Sequence, residues 1–341
     1  MIEIGIDSFA ATVSDPETGA ELTAADRLNN LIEEIEAADR AGVDAFGVGE
    51  HHRKEYLDSA PTMILAAAAG RTSRIRLTSA VTVLSADDPV RVFQQFATLD
   101  LISRGRAEIV AGRGSSIEAY PLFGLDLREY DSLFAEKLGL LLQLREQTHI
   151  EWAGRHRAPL TGQGVFPRPQ QQPLPIWVGV GGTPESFARA GTLGLPLMIA
   201  IIGGDFRRFR PLVDLYHEAA RRAGHDPAHL RVGVHAFGYV AETAAEARDD
   251  FYPGYARLVD TIGRERGWTP PSREQFDASC DPTGPYLIGD PASVAHKVRY
   301  IDEVLGGVSR VSFQMTNVLL PHTKMCAAIE LLGSHVIPLV R

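Results

Sequence analysis

Cysteine is scarce in this chain, and long apolar runs and concentrated positive charge are missing altogether. Only Cys280 and Cys326 occur among 341 residues, so neither a disulfide framework nor a cysteine metal site is expected. No window of about 18 continuous apolar residues is present, which predicts no membrane-spanning helix. The formal net charge is −9 with no long basic run, which excludes a surface built to bind nucleic acid or an anionic membrane.

The first residues and the overall composition indicate an ordinary globular domain. The segment MIEIGIDSFA has no basic stretch followed by an apolar one, so no secretory signal is expected and a cytoplasmic location is predicted. Hydrophobic residues make up 45% and charged residues 23% of the chain, a mix that can bury a substantial core. No repeat, low-complexity tract or linker divides the sequence, which predicts one domain over residues 1–341.

Eight short apolar runs alternate with helical patterns along the chain. They are rich in Val, Ile and Phe, as buried parallel strands are. The runs are Glu3–Asp7, Asp44–Gly49, Ile75–Leu84, Ala107–Gly112, Pro175–Val180, Leu197–Ile202, Arg231–Val240 and Arg310–Met315. Eight alternating strand and helix units favour an α/β fold of the (β/α)₈ type, the TIM barrel, with an open doubly wound sheet as the alternative.

Helix boundaries can be placed at three positions between these runs. Thr23 and Asp26 can form a capping box before a helix that ends at Gly42. An Ala-rich helix is predicted over Pro61–Gly70, beginning at the proline. A third helix is predicted over about Arg128–Gln147.

Two gaps between predicted strands are too long for simple connections. They span Gly112–Pro175 and Val240–Arg310, which predicts insertions after strands 4 and 7 of the barrel. Insertions of this length usually form functional loops or lids. The polar stretch Gly267–Pro285 is therefore predicted to be a lid, with a merely decorative loop as the alternative.

Ionisable residues follow the second predicted strand, in the segment Gly49-Glu50-His51-His52. Residues at the C-terminal ends of barrel strands face the shared active site. Alternation would direct one histidine inward and the other towards the barrel wall. An imidazole can exchange a proton near neutral pH, and Glu50 could orient it. A structural histidine pair is the alternative, and no set of ligands at familiar spacing predicts a metal site.

Two glycine-containing turns could hold a phosphate. In Gly112–Ser116 the glycines let the backbone approach a ligand and Arg113 offers a planar donor group, although such a segment also serves as an ordinary turn. In Val178–Ser186, Gly181 and Gly182 precede a helix that Thr183 can cap, so backbone N–H groups lie at its positive end. Neither segment matches a Walker A or Rossmann fingerprint.

Taken together, these segments resemble the bacterial luciferase-like monooxygenase family. The resemblance is carried by AGVDAFGVGEHH, by SAVTVLSADDPVRVFQQFATLDLISRGRAEIVAGRG, by PIWVGVGGTPES followed by GTLGLPLMIA, and by YLIGDPASVAHKV. These four segments occur in the family's order and span nearly the whole chain.

The resemblance implies a (β/α)₈ barrel that binds FMN or a deazaflavin coenzyme. Arg113 and the backbone of Gly181 and Gly182, with Thr183 nearby, look like the family's phosphate site. Ala80 and Val81 look like its bulged segment beneath the isoalloxazine, which often contains a cis non-prolyl peptide. His51 matches the family's active-site histidine. Gly112 stands near the position of luciferase's reactive cysteine, so light emission is not expected. The implied cofactor-binding residues are Ala80, Val81, Gly112, Arg113, Gly181, Gly182, Thr183 and Ile201, and the implied catalytic residues are His51 and Glu50.

The leading hypothesis is an FMN-dependent monooxygenase that uses reduced flavin and O₂ to oxidise a small organic substrate. A separate flavin reductase is an expected partner because no Rossmann segment for NAD(P)H is evident. A homodimer is expected through the helix Pro61–Gly70, as in the family. The alternatives are a deazaflavin-dependent dehydrogenase or reductase on the same barrel, and a flavin-binding protein without turnover.

Overall fold

The structure is a computed structural model that describes residues 1–114, 116–266 and 271–341. The strands are β1 Glu3–Ser8, β2 Ala45–Val48, β3 Arg76–Ser79, β4 Thr82–Val83, β5 Ala107–Gly112, β6 His149–Trp152, β7 Leu160–Gly164, β8 Ile176–Val180, β9 Leu197–Ala200, β10 Val232–Val240, β11 Leu287–Gly289 and β12 Arg310–Gln314. The helices are α1 Ala24–Ala41, α2 Pro61–Ala69, α3 Pro89–Ser103, α4 Ala119–Leu122, α5 Tyr130–Glu146, α6 Pro184–Thr192, α7 Arg210–Arg222, α8 Ala244–Arg266, α9 Arg273–Cys280, α10 Pro291–Leu305, α11 His322–Leu331 and α12 Ile337–Val340.

Eight parallel strands close into a barrel. Their order is β1, β2, β3, β5, β8, β9, β10 and β12, and β12 pairs back with β1. The predicted (β/α)₈ fold is confirmed, and all eight apolar runs contain barrel strands. One run differs: Ile75–Leu84 is interrupted after β3, and β4 resumes the pairing with β5. The interruption contains a cis peptide bond between Ala80 and Val81.

The first helix begins and ends where its local sequence predicts. The Thr23 hydroxyl accepts a hydrogen bond from the Asp26 N–H at 3.1 Å, which satisfies one of the free donors at a helix start. Gly42 follows the helix with a left-handed φ of 80°, and its N–H bonds to the Ala38 carbonyl. Glycine adopts this conformation without steric cost. Apolar residues of α1, such as Leu31 and Ile35, are then buried against the barrel.

A buried ion network fills the N-terminal end of the barrel. Arg310 is 0% exposed and forms ion pairs of 2.7 Å with both Glu108 and Glu3. Its guanidinium also lies 4.8 Å from the centre of the Trp177 ring. Burial alone would lower the pKa of Arg310, but the two carboxylates raise it above its ordinary value. Charged side chains and a tryptophan occupy this end, and in barrels of this type the active site lies at the opposite, C-terminal end.

The two predicted insertions are present after the fourth and seventh barrel strands. The first contains α4, α5 and the antiparallel hairpin of β6 and β7. The second contains α8, α9 and β11, which extends the sheet beside β10.

The predicted lid segment contains an anchored helix. Within Gly267–Pro285, α9 begins with a capping box at Ser272, and the Phe276 side chain is completely buried. The Lys297 ammonium donates hydrogen bonds to the Cys280 and Tyr286 carbonyls at 2.9 and 2.5 Å. These contacts hold the described part of the segment against the barrel. Residues 267–270 of the predicted lid lie outside the described residues.

By length and composition, one helical segment in the described chain, His322–Val340, could cross a membrane, with a mean hydropathy of 1.3. No such segment was expected from the sequence, because no continuous apolar run reaches the length of a membrane span. Here it forms the last layer of the barrel, and its buried residues follow a helical stripe that includes Met325, Ile329, Leu332 and Val336. Packing of this stripe into the core accounts for its apolar composition.

The surface of α2, the expected dimer helix, is partly apolar. Met63 on this helix is 71% exposed, and Leu101 and Ile102 on α3 are also exposed. No partner chain tests the expected homodimer, which stays a prediction.

The ion network predicts a large stability loss when its central cation is removed. Arg310→Ala removes the fully buried partner of Glu108 and leaves that carboxylate only the partly exposed Arg76, 3.3 Å away. The free energy of unfolding should fall by about 3–5 kcal/mol. Chemical denaturation followed by circular dichroism measures this change. Arg128→Ala, at an arginine with an 89% exposed side chain, is the control and should leave the unfolding midpoint unchanged. Equal midpoints for both variants would contradict the assigned role of Arg310.

Candidate active site

Glycines on three strands make room for neighbouring side chains at the C-terminal end of the barrel. A Cβ atom at Gly112 would overlap the Val81 side chain, and one at Gly179 would lie 2.8 Å from Val81 Cγ1. A Cβ atom at Gly47 would overlap the carboxylate of Asp7. Small residues are therefore required here, because larger ones would displace Val81 and fill the space above it.

The bulge between β3 and β4 forms a platform held by Glu50. One Glu50 carboxylate oxygen accepts a hydrogen bond from the Val83 N–H at 2.8 Å. Val81 is only half-buried and lies over Gly112 and Gly179. The cis peptide bond expected from the resemblance is present between Ala80 and Val81.

His51 is paired with a buried aspartate that the sequence analysis did not identify. The Asp58 carboxylate lies 2.9 Å from His51 Nδ1 and accepts the His51 backbone N–H at 3.0 Å. Burial raises the pKa of Asp58, and its contacts with His51 oppose that rise. The imidazole also lies against the rings of Phe9 and Tyr56, with centroids 4.7 and 4.4 Å away. Because Asp58 occupies Nδ1, Nε2 is the ring nitrogen that remains for a ligand.

His52 has different neighbours from His51. Its Nε2 lies 3.1 Å from the second carboxylate oxygen of Glu50, and this hydrogen bond raises the pKa of His52. The ring meets Phe123 edge-on at 5.1 Å. Both oxygens of Glu50 are therefore bound to the protein, one by the backbone of the platform and the other by His52.

Arg113 contacts the first turn of α6. The guanidinium donates to Ser186 Oγ at 3.0 Å and to Asp131 at 2.5 Å. Ser186 lies in the first turn of α6, where backbone N–H groups and the helix dipole favour an anion.

The turn that precedes α6 is open to a ligand. Thr183 occupies the N-cap position, but its side chain makes no capping hydrogen bond, in contrast to the expected cap. No atom lies within 4 Å of a Cβ placed at Gly181 or Gly182. These backbone groups and the threonine hydroxyl therefore remain available to a phosphate.

The predicted contact at Ile201 requires correction. Its side chain is 0% exposed and belongs to the hydrophobic core between the barrel and its helices. The preceding residue, Ala200, is the exposed one. Alternation along β9 explains the error, because a shift of one residue moves a side chain to the other face of a strand.

Several residues of the site were missed by sequence reasoning. Asp7 and His235 form a 2.6 Å hydrogen bond inside the barrel, and the Phe9 ring lies between His235 and His51. Side chains alternate between the two faces of a strand, and Asp7 on β1 and His235 on β10 occupy positions that face the lumen. This alternation is a sequence signal that could have identified them. Asp58 follows no spacing rule and is recognised only in three dimensions.

The sequence profile of the luciferase-like monooxygenase family matches residues 6–307. The chain belongs to this family. Its members are flavin-dependent oxidoreductases, so the predicted enzyme class is confirmed at that level.

Relatives and solved structures agree with the family assignment. The 4-hydroxyprotoasukamycin monooxygenase of Streptomyces nodosus subsp. asukaensis is 26% identical over 84% of this chain and 80% of its own length. Monooxygenase RslO1 from Streptomyces bottropensis shares the fold with a TM-score of 0.84 and 24% identity over 99% of both chains.

The coenzyme differs among proteins that share the fold. The oxygenating constituent of 3,6-diketocamphane monooxygenase from Pseudomonas putida, solved in complex with FMN, has a TM-score of 0.78 and 20% identity over 99% of this chain and 98% of its own. Coenzyme F420 dependent tetrahydromethanopterin reductase from Methanopyrus kandleri has a TM-score of 0.74 and 20% identity over 100% of this chain and 99% of its own. These likenesses establish the shared fold, and each coenzyme belongs to the protein in which it was found.

The close contact between Gly112 and Val81 predicts a loss of stability when a side chain is added at Gly112. Gly112→Ala places a methyl group against Val81, and overpacking of this kind should cost about 1–3 kcal/mol. Gly181→Ala is the matched control, because its new Cβ meets open space. Urea denaturation compares the two variants. A Gly112→Ala protein as stable as the control would show that the platform can move without cost.

Proposed function

We propose that the protein is an FMN-dependent monooxygenase that uses reduced FMN and O₂ to oxidise a small organic substrate. The proposal is carried by Arg113, which contacts the first turn of α6, and by the His51–Asp58 pair, both of which lie beyond the C-terminal ends of barrel strands. Arg113 and the start of α6 form the anion site. The Val81 platform and the His51–Asp58 pair complete the open end of the barrel.

The residues present fit a flavin phosphate and ring. Arg113, Ser186 and the backbone of Gly181 and Gly182 would hold the phosphate, with the Thr183 hydroxyl beside them. Arg113 supplies a charge-assisted donor, and the α6 N-terminus supplies backbone N–H groups.

The ring would lie on Ala80 and Val81. Gly112 acts beneath this platform, because it leaves the space that Val81 fills. The Thr82 hydroxyl beside the platform is buried and has no hydrogen-bond partner in the described chain, as expected for a group that a ligand completes.

His51 is the proposed proton-transfer residue. When bound, reduced flavin supplies the electrons and activates O₂. Asp58 fixes the orientation of the His51 ring through Nδ1, so that Nε2 can hold or deliver a proton. Glu50 is a positioning residue here rather than the predicted catalytic one, because both of its oxygens bind protein groups.

A separate flavin reductase would deliver reduced FMN to the protein.

A deazaflavin-dependent dehydrogenase or reductase is the second candidate function, because F420 enzymes share the fold. Titration of the purified protein with reduced FMN and with reduced F420 separates the two, and preferential binding of F420 would reject the FMN assignment. Oxygen-uptake screening with reduced FMN then identifies substrates.

Arg113 is expected to recognise the FMN phosphate. Arg113→Ala removes a charged donor worth about 1.5–3 kcal/mol, so the Kd for FMN should rise roughly tenfold or more. The Kd for riboflavin, which lacks the phosphate, should change little. Flavin fluorescence titration measures both, with Arg155→Ala at an exposed arginine of the same insertion as the control. Equal losses for FMN and riboflavin would reject the assignment.

His51→Ala is expected to uncouple the reaction. The variant should still bind FMN and consume O₂ but release hydrogen peroxide in place of oxidised product. Acid–base contributions of this type are about 10²–10⁴-fold, so product per peroxide released should fall steeply. His52→Ala, whose ring pairs with Glu50, should act mainly through stability. Normal coupling in His51→Ala together with lost coupling in His52→Ala would reverse the assignment, and no change in either would make the motif structural.

A further inference from the structure

Gln314 is a buried amide without a hydrogen-bond partner in the barrel lumen. Its side chain is 1% exposed, and neither Nε2 nor Oε1 has a partner among the described residues. Alternation along β12 places Arg310, Ser312 and Gln314 on one face, and Arg310 reaches across the lumen to Glu108 of β5. Gln314 therefore points into the lumen towards its C-terminal end.

A histidine–aspartate pair lies beside this amide. Asp7 on β1 and Phe237 on β10 are the register partners of Gln314, so β12 lies between these two strands. The 2.6 Å hydrogen bond from His235 Nδ1 to Asp7 consequently crosses the lumen face of β12. Neither side chain satisfies the Gln314 amide, although both are within the same part of the lumen.

The Phe9 ring lies between His235 and His51, the proposed proton-transfer residue. The Phe9 ring lies 6.0 Å from the His235 ring, nearly parallel to it at 15°, and 4.7 Å from the His51 ring. Phe9 is only half-buried. A flat group could therefore lie along Phe9 between the two histidines.

Gln314 and the proposed phosphate site at Arg113 lie on opposite walls of the barrel. β12 and β5 are separated by three strands in either direction around the closed sheet of eight. Arg113 follows β5, and Val81 lies against glycines of β5 and β8. A cofactor held there covers its own side of the lumen, which leaves the wall with Gln314 to a second molecule.

We propose that Gln314, beside the Asp7–His235 pair, recognises the substrate, and that the substrate is a planar compound carrying a carbonyl or carboxamide group. A carboxamide donates and accepts hydrogen bonds at once, so a group with both capacities satisfies it best. Buried polar groups are normally paired, and no described protein group pairs with this one. This assignment rests on the proposed function for the place of the flavin.

The test uses three probes of similar shape and different hydrogen-bonding capacity. Benzamide offers an acceptor and a donor, acetophenone offers an acceptor only, and isopropylbenzene offers neither. Ligand-observed NMR measures their binding to the full-length protein with and without FMN. The wild-type protein should prefer benzamide to acetophenone and acetophenone to isopropylbenzene. Gln314→Met, with a side chain of similar length and no such donor or acceptor, should lose roughly tenfold in benzamide affinity and lose the preference.

Two further measurements separate a recognition role from a structural one. The Tm of ligand-free Gln314→Met should equal or exceed that of the wild-type protein, because the variant removes an unpaired buried amide. The Kd for FMN should stay unchanged. Gln163→Met, at an exposed glutamine of β7, is the control and should alter none of these quantities.

Each contrary outcome has a distinct meaning. Equal binding of the three probes by the wild-type protein, or no binding of any, overturns the assignment. A lower Tm for ligand-free Gln314→Met shows that the amide is satisfied within the fold. A loss of FMN affinity as large as that of Arg113→Ala shows that Gln314 reads the cofactor instead. Selective benzamide binding by a protein that binds no FMN would overturn the proposed function and leave the recognition role of Gln314 in place.

Discussion

The barrel depends on two features of its lumen. Buried ion pairs fill the N-terminal end, and glycines make room for other side chains at the C-terminal end. Arg310 crosses the N-terminal end and joins three strands through Glu3, Glu108 and the Trp177 ring. A buried cation is tolerated there because two carboxylates and an aromatic face surround it. The candidate site residues lie at the opposite, C-terminal end of the strands.

Glycines shape the C-terminal end of the barrel as much as the larger side chains do. Glycines on β2, β5 and β8 leave room for Asp7 and Val81, and Glu50 holds the backbone just beyond Val81. The Val81 platform, the start of α6 and the His51–Asp58 pair are all held by elements of one barrel. Such preorganisation lets a site position a ligand without moving.

Two histidines of this site are each held by an aspartate through Nδ1. His51 pairs with Asp58 from its own loop, whereas His235 pairs with Asp7 from a strand more than 200 positions earlier. The Phe9 ring lies between the two imidazoles and contacts both of them. The two histidine–aspartate pairs and Phe9 therefore form one connected group of side chains.

The sequence by itself determined the strand order, the barrel, the insertions and the segments that carry Arg113, His51 and the glycine turns. These are local properties, because apolar runs, caps and turn residues act over a few positions. Only the tertiary structure decided which groups meet: Asp58 with His51, Asp7 with His235, and Glu50 with the backbone of Val83. It also moved Ile201 out of the site and turned part of the expected lid into an anchored helix. Strand register and barrel closure bring distant residues together, and no local pattern encodes those distances.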